Sequence, residues 1–149
     1  MARNGFKKLI NNIKKNALYQ DENGEFTKMA SSNNLRRYLN GKETENSKEW
    51  IPPKVKITEE DLVRVWNSQN GKCHYWNIDL DMDLLFVGSS NYIPNHPLAP
   101  SVDRIDNNKD YTIDNIVICT RFSNIGRGNF PYEEMKNIII SLKESNKLH

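Results

Sequence analysis

Pro100-Ser101-Val102-Asp103-Arg104-Ile105-Asp106-Asn107-Asn108-Lys109-Asp110-Tyr111-Thr112-Ile113-Asp114-Asn115-Ile116-Val117-Ile118, running on to Asn124 and Arg127, is the stretch on which the reading of this chain turns. It opens with a short apolar run that ends in an acid, Val102-Asp103. The segment from Asp106 to Asp110 is rich in Asn and Asp, which tolerate turn and left-handed geometry, so it reads as a loop. Ile116-Val117-Ile118 is a β-branched run and reads as a buried strand. The polar segment Thr120 to Asn124 then suits the opening of a helix. Strand, loop, strand and helix follow with the short connections of a compact unit. Such a unit would hold Asp103 and Asn124 close together.

In order and spacing the stretch resembles the ββα-metal core of HNH endonucleases, in the branch whose first strand ends in Asp-Arg-Ile-Asp. The matching pieces are Ser101 to Asp106, Tyr111-Thr112, Asp114 to Val117, and Asn124 followed by Arg127. Ile57 to Leu62 and Gln69 to Cys73 resemble the lead-in helix and first hairpin of that family, so the resemblance spans residues 57–142. It implies an α+β fold: a small ββα-metal (HNH) core with flanking helices and a basic helical extension at the N-terminus.

The resemblance also implies a chemistry. Asp103 and Asn124 take the positions of the metal ligands, and Mg²⁺, or another divalent cation such as Mn²⁺, suits two hard protein oxygens. Asn115 takes the middle Asn of the family name, with the expected task of bonding backbone across the loop. Where most members place His after the first acid, this chain has Arg104, a poor base that suits a phosphate clamp. The proton of the attacking water then falls to Tyr75 or His74, with His96 a third choice. Strand alternation would put His74 on the face opposite Tyr75. Arg127, one helical turn past Asn124, is expected to hold a phosphate. Many relatives carry a structural zinc on two Cys-x-x-Cys pairs. Here Trp76 stands three residues after Cys73, and Thr120 and Ser123 take the second pair's places, with Cys119 one residue early. A structural zinc is therefore not expected, and packing around Trp76 and Phe122 is expected instead.

Composition sets the outer limits. The 149 residues suit one domain with an arm. Mean hydropathy is −0.76, and no apolar run approaches the roughly 18 residues of a membrane span. The start lacks an apolar leader, which points to a cytoplasmic protein with no membrane partner. Two cysteines make no disulfide framework.

The net charge of +2 conceals a split. Residues 1–56 carry 12 Lys and Arg against 6 Asp and Glu, whereas the remainder carries 9 against 13. A basic first third joined to an acidic remainder suits an arm for a polyanion beside a carboxylate-bearing site.

Phe6, Leu9, Ile10, Ile13 and Ala17 recur at helical spacing, so residues 3–18 read as a basic amphipathic helix bearing Lys7, Lys8, Lys14 and Lys15. Arg36 and Arg37 are further candidates for DNA contact. A division follows: residues 1–55 as a DNA-binding extension and 56–149 as the nuclease domain.

Thr58 followed by Asp61 is a capping signal for a helix, and Asn70-Gly71 is a turn signal. Lys72 to Trp76 reads as a hairpin arm, and Asp79, Asp81 and Asp83 as the exposed side of a strand. Residues 132–142 read as a packing helix with Met135, Ile138, Ile139 and Leu142 inward. The function expected is a metal-dependent DNA endonuclease, a homodimer if its cutting is palindromic. The alternative is a degenerate HNH scaffold that binds DNA without cutting it.

Overall fold

A computed structural model describes residues 4–20, 23, 36, 38–39, 51–88 and 95–146. The architecture is mixed helix and strand. Helix α1 (Gly5–Asn16) and helix α2 (Glu59–Ser68) come first. Strands β1 (Pro100–Arg104) and β2 (Ile116–Thr120) follow, then helices α3 (Arg121–Arg127) and α4 (Tyr132–Asn146). Short 3₁₀ turns at Met82–Phe86 and Ile113–Asn115 precede the two strands.

The two strands pair antiparallel, with Val102 opposite Ile118, Asp103 opposite Val117 and Arg104 opposite Ile116. All five residues of β2 are buried, as a central apolar strand requires. α3 leaves β2 directly, with Thr120 as N-cap accepting the Ser123 N–H. It ends at Gly128, whose φ of +53° suits glycine. The product is a ββα unit.

The lead-in helix forms where its capping signal places it. Thr58 and Asp61 make a reciprocal capping box on α2, satisfying two backbone donors that the helix leaves open. Asn70 and Gly71 both adopt positive φ and end α2 by turning the chain. A side chain at Gly71 would lie 3.2 Å from the Trp66 ring, so this position favours glycine for both reasons.

α1 is capped by Asn4, which accepts from the Lys7 N–H at 3.0 Å. Leu9, Ile10 and Ile13 join one core cluster with Leu62, Leu85, Val102 and Ile118, and Phe6 meets Trp66 edge to face at 5.9 Å. Burying one Leu or Ile side chain contributes about 1.5–3 kcal/mol, so α1 is a structural part of the domain that carries the ββα unit. Lys7 and Lys15 are exposed, and Lys8 and Lys14 are half-buried.

Three local expectations change. The strand expected around Asp79, Asp81 and Asp83 is a single bridge, Lys72 to Asp79, followed by a 3₁₀ turn that Asp81 caps through the Asp83 N–H. The Asp81 carboxylate competes for backbone donors and closes a turn where a strand would need them paired. Residues 74–76 are likewise turn and not hairpin arm. Cys73 accepts the Asn77 N–H at 2.9 Å and donates its own N–H to Ile78 at 2.8 Å, and Asn77 takes φ +58°.

The packing helix α4 buries Ile139, but Ile138 and Leu142 remain 44% and 49% exposed. Together with Trp76, Phe122 and Phe130 they line an apolar groove of about 470 Å³ between α3 and α4. No helix among the described residues is long and apolar enough to cross a membrane.

Candidate active site

The end of β1, the end of α3, the turn at residues 74–77 and the first turn of α4 converge on Asp103. This aspartate is 3% exposed. Its Oδ2 accepts the Tyr75 hydroxyl at 2.5 Å and the Arg127 Nη1 at 2.8 Å. Among the described residues no donor reaches Oδ1.

Arg127 is also buried and is fully engaged. It donates from Nη1 to the Arg104 carbonyl, from Nη2 to the Ile105 carbonyl at 2.7 Å and from Nε to the Phe130 carbonyl at 2.9 Å. Burial works against its charge, but the hydrogen bond and charge of Asp103 prevail and raise its pKa. The guanidinium expected on a phosphate is here the counter-ion of the site carboxylate.

Asn124 reaches back from α3 to β1. Its Nδ2 donates to Ser101 Oγ at 2.7 Å and to the Val102 carbonyl at 3.2 Å. That assignment leaves Oδ1 as the unengaged end of the amide, at the residue preceding Asp103. One carboxylate oxygen and one amide oxygen are thus left without protein donors among the described residues, and both are of the hard type that a divalent ion takes. Among the described residues no group of three or more His, Cys, Asp or Glu side chains is placed to hold a metal.

Asn115 holds the loop that sets this spacing. It accepts the Asp106 N–H at 2.9 Å and donates to the Asp106 and Asp110 carbonyls at 3.0 Å each. Arg104 serves the same loop. Its Nη1 donates to the carbonyls of Asn107 and Lys109, and its guanidinium lies 5.0 Å from the Tyr111 ring centre. Arg104 thus points along the loop, away from the Asp103 carboxylate that Arg127 holds.

Tyr75 and His74 lie together because their segment is a turn, where strand alternation does not apply. Their rings meet at 80° with centres 5.3 Å apart. Burial, and then the hydrogen bond to Asp103, push the Tyr75 phenol well above its usual range, so in this state Tyr75 is a proton donor. Partial burial of its ring, and then the Lys136 ammonium, pull the His74 pKa below 6.5, while Asp103 pulls the other way. Both lowering effects favour the neutral imidazole.

Its Nε2 lies 2.5 Å from the Tyr132 hydroxyl, and the two rings stack at 25° with centres 5.8 Å apart. Tyr132 also lies over Arg127, at 5.6 Å. Nothing in the sequence marks Tyr132 beyond its place after Pro131 at a helix start, and no spacing rule links residues 74 and 132. His96 is spent in the loop before β1, where Nδ1 accepts the Leu98 N–H at 3.0 Å.

The positions that hold zinc in the family resemblance carry a hydrogen-bond chain. Trp76 Nε1 donates to Ser123 Oγ at 2.8 Å, and Ser123 Oγ shares a second bond of 2.8 Å with Thr120 Oγ1. Phe122, expected to pack there, is 62% exposed. Cys73 and Cys119 are buried and unbridged, and burial pushes the Cys119 thiol well up. Of the DNA-contact candidates, Arg36 is exposed and Arg37 lies outside the described residues.

Comparison with known proteins returned no matching family model and no matching curated protein. Among solved structures, the chain is similar to PacI, a rare-cutting HNH restriction endonuclease. The two share 14% identity at a TM-score of 0.48, over 87% of this chain and 86% of that one.

Proposed function

We propose that this chain is a metal-dependent DNA endonuclease of the HNH, ββα-metal type. The observation that carries the reading is that Asn124 reaches from α3 to Ser101 and Val102, the residues just before Asp103 on β1, while each of Asp103 and Asn124 keeps an oxygen free of protein donors among the described residues. The ordered motif from Ser101 to Arg127 supports it. Asp103 and Asn124 would hold a divalent ion through these oxygens, and the ion would supply charge stabilisation at the scissile phosphate.

The rest falls to the chain. Asn115 and Arg104 fix the loop, Arg127 fixes the Asp103 carboxylate, and Tyr75 donates to that same carboxylate. His74 lies beside it as the proton acceptor. The lysines of α1 offer the positive surface that a phosphate backbone requires.

The test is supercoiled plasmid in Mg²⁺ and in EDTA, with Asp103→Ala and Asn124→Ala alongside. Nicked or linear product should form only with the wild type in Mg²⁺, while both variants still shift DNA in a gel. Cutting that survives EDTA, or that survives in Asp103→Ala, would remove the reading.

One observation favours a second reading, a DNA-binding protein on the same scaffold. The buried Arg127 guanidinium already neutralises Asp103, which weakens the attraction of that carboxylate for a cation. A gel shift with no product in either Mg²⁺ or Mn²⁺ would select it.

A further inference from the structure

The centre at Asp103 needs a proton acceptor, and the surrounding side chains narrow the choice. Arg104 and Arg127 stay charged at any ordinary pH. Tyr75 has committed its proton to Asp103 at 2.5 Å. The amides of Asn115 and Asn124 are not bases. His96 is occupied by the Leu98 N–H. His74 is left, and it is coupled to a residue from a different element, Tyr132 at the start of α4.

The chemistry of that contact assigns its direction. A phenol O–H is a better donor than a neutral imidazole N–H, and an imidazole nitrogen is a better acceptor than a phenol oxygen. At 2.5 Å the short, strong arrangement has Tyr132 donating to Nε2, with the imidazole proton on Nδ1. The stacked rings and the cations that flank Tyr132, Arg127 at 5.6 Å and Lys136 at 5.2 Å, hold the phenol beside the Tyr75–Asp103 pair. The Tyr75 and Tyr132 ring centres are 6.1 Å apart.

We propose that Tyr132 and His74 form the proton relay of the Asp103 centre: the attacking water passes its proton to Tyr132 Oη as Tyr132 passes its own to His74 Nε2. This rests on the endonuclease reading above. One water O–H bond and one tyrosine O–H bond break. One tyrosine O–H bond and one imidazole N–H bond form. The water oxygen bonds phosphorus as the P–O bond to the leaving strand oxygen breaks with its electron pair, that oxygen takes a proton from solvent, Tyr132 ends as it began, and His74 becomes imidazolium. The groups around His74 are Tyr132 and Lys136 from α4, Asp103 from β1 and Tyr75 next to it in the chain, with Arg127 from α3 beneath Tyr132. Asp103 stabilises the imidazolium that forms. Burial, and then Lys136, oppose it and favour the neutral form of the resting imidazole.

The first measurement needs no metal. Imidazole ¹⁵N shifts of His74 at neutral pH should report the Nδ1–H tautomer in the wild type, and Tyr132→Phe should release it to Nε2–H. An Nε2–H tautomer in the wild type overturns the relay.

The second measurement is plasmid nicking in Mg²⁺ across pH. The wild-type rate should fall as pH drops through the His74 ionisation, on a limb lying below 6.5, because the acceptor must be neutral. Tyr132→Phe and His74→Gln should each lose roughly a hundredfold in rate, and His74→Gln should lose that limb as well. A cutting wild type whose two variants match it in rate and pH profile overturns the relay and leaves the endonuclease standing. A wild type that cuts nothing in Mg²⁺ or Mn²⁺ removes the endonuclease reading, and the relay goes with it.

Discussion

Helix α1 turns Leu9, Ile10 and Ile13 inward and presents Lys7 and Lys15 to solvent. Helix α3 does the reverse. It buries Ser123 and Arg127 and leaves Phe122 and Ile125 62% and 61% exposed. The first arrangement is what the hydrophobic effect produces in a helix that closes a core. The second survives only because every buried polar group on it has partners. Ser123 bonds Trp76 and Thr120, and Arg127 bonds a carboxylate and three carbonyls. A buried polar group without a partner costs about 1–3 kcal/mol, and more if charged. A helix turned inside out in this way spends its inner face on placing a site, and the core must draw its stability from elsewhere.

The largest expected effect breaks α3 at its charge. Arg127→Leu leaves the Asp103 carboxylate buried without its counter-ion and strands the carbonyls of Arg104, Ile105 and Phe130. Removing one partner of such a pair costs about 3–5 kcal/mol, readable by urea denaturation. Adding Asp103→Asn should recover part of the loss, because the stranded charge is then gone. If Arg127→Leu unfolds at the wild-type urea concentration, the inner face of α3 is not held by this ion pair.

Next comes the same question put to α1. Leu9→Ala empties a site that is 1% exposed and should cost about 2–5 kcal/mol. The test bears directly on the division drawn near residue 55, since a separable arm would lose DNA affinity and little stability. A change below about 0.5 kcal/mol, the level of a surface substitution, would mean that α1 is an appendage and not part of the core.

The contrast between the two helices also explains what the sequence could disclose. α1, the capping box of α2 and the apolar strand β2 each follow a local rule of period or cap, and each forms where the rule puts it. The ββα unit that carries Asp103 and Asn124 is legible because strand, loop, strand and helix are short and consecutive. The segment at 74–77 is less so. Its alternation looks like a strand, but Asn77 takes a left-handed conformation, and the turn it closes brings His74 round to Tyr75. Arg127 reads as a phosphate contact by its spacing from Asn124, and only the fold shows it at 3% exposure behind Asp103. The His74–Tyr132 contact joins residues 58 apart, across elements whose packing no local pattern encodes.

The smallest expected effect is on the outer face of α3. Phe122 and Ile125 are large apolar residues one helical turn apart, and in a helix built like α1 their replacement by Ser would be costly. Here each is mostly in water already, so little apolar area remains to be lost. Phe122→Ser and Ile125→Ser should each change unfolding free energy by no more than about 0.5 kcal/mol, the range of surface substitutions. The two should also add, since the residues point outward and share no buried partner. A loss near that of Leu9→Ala would show that the groove lined by Phe122, Phe130 and Leu142 closes in solution and that the outer face of α3 is core. A negligible loss would confirm that this helix owes its place to the polar residues it buries.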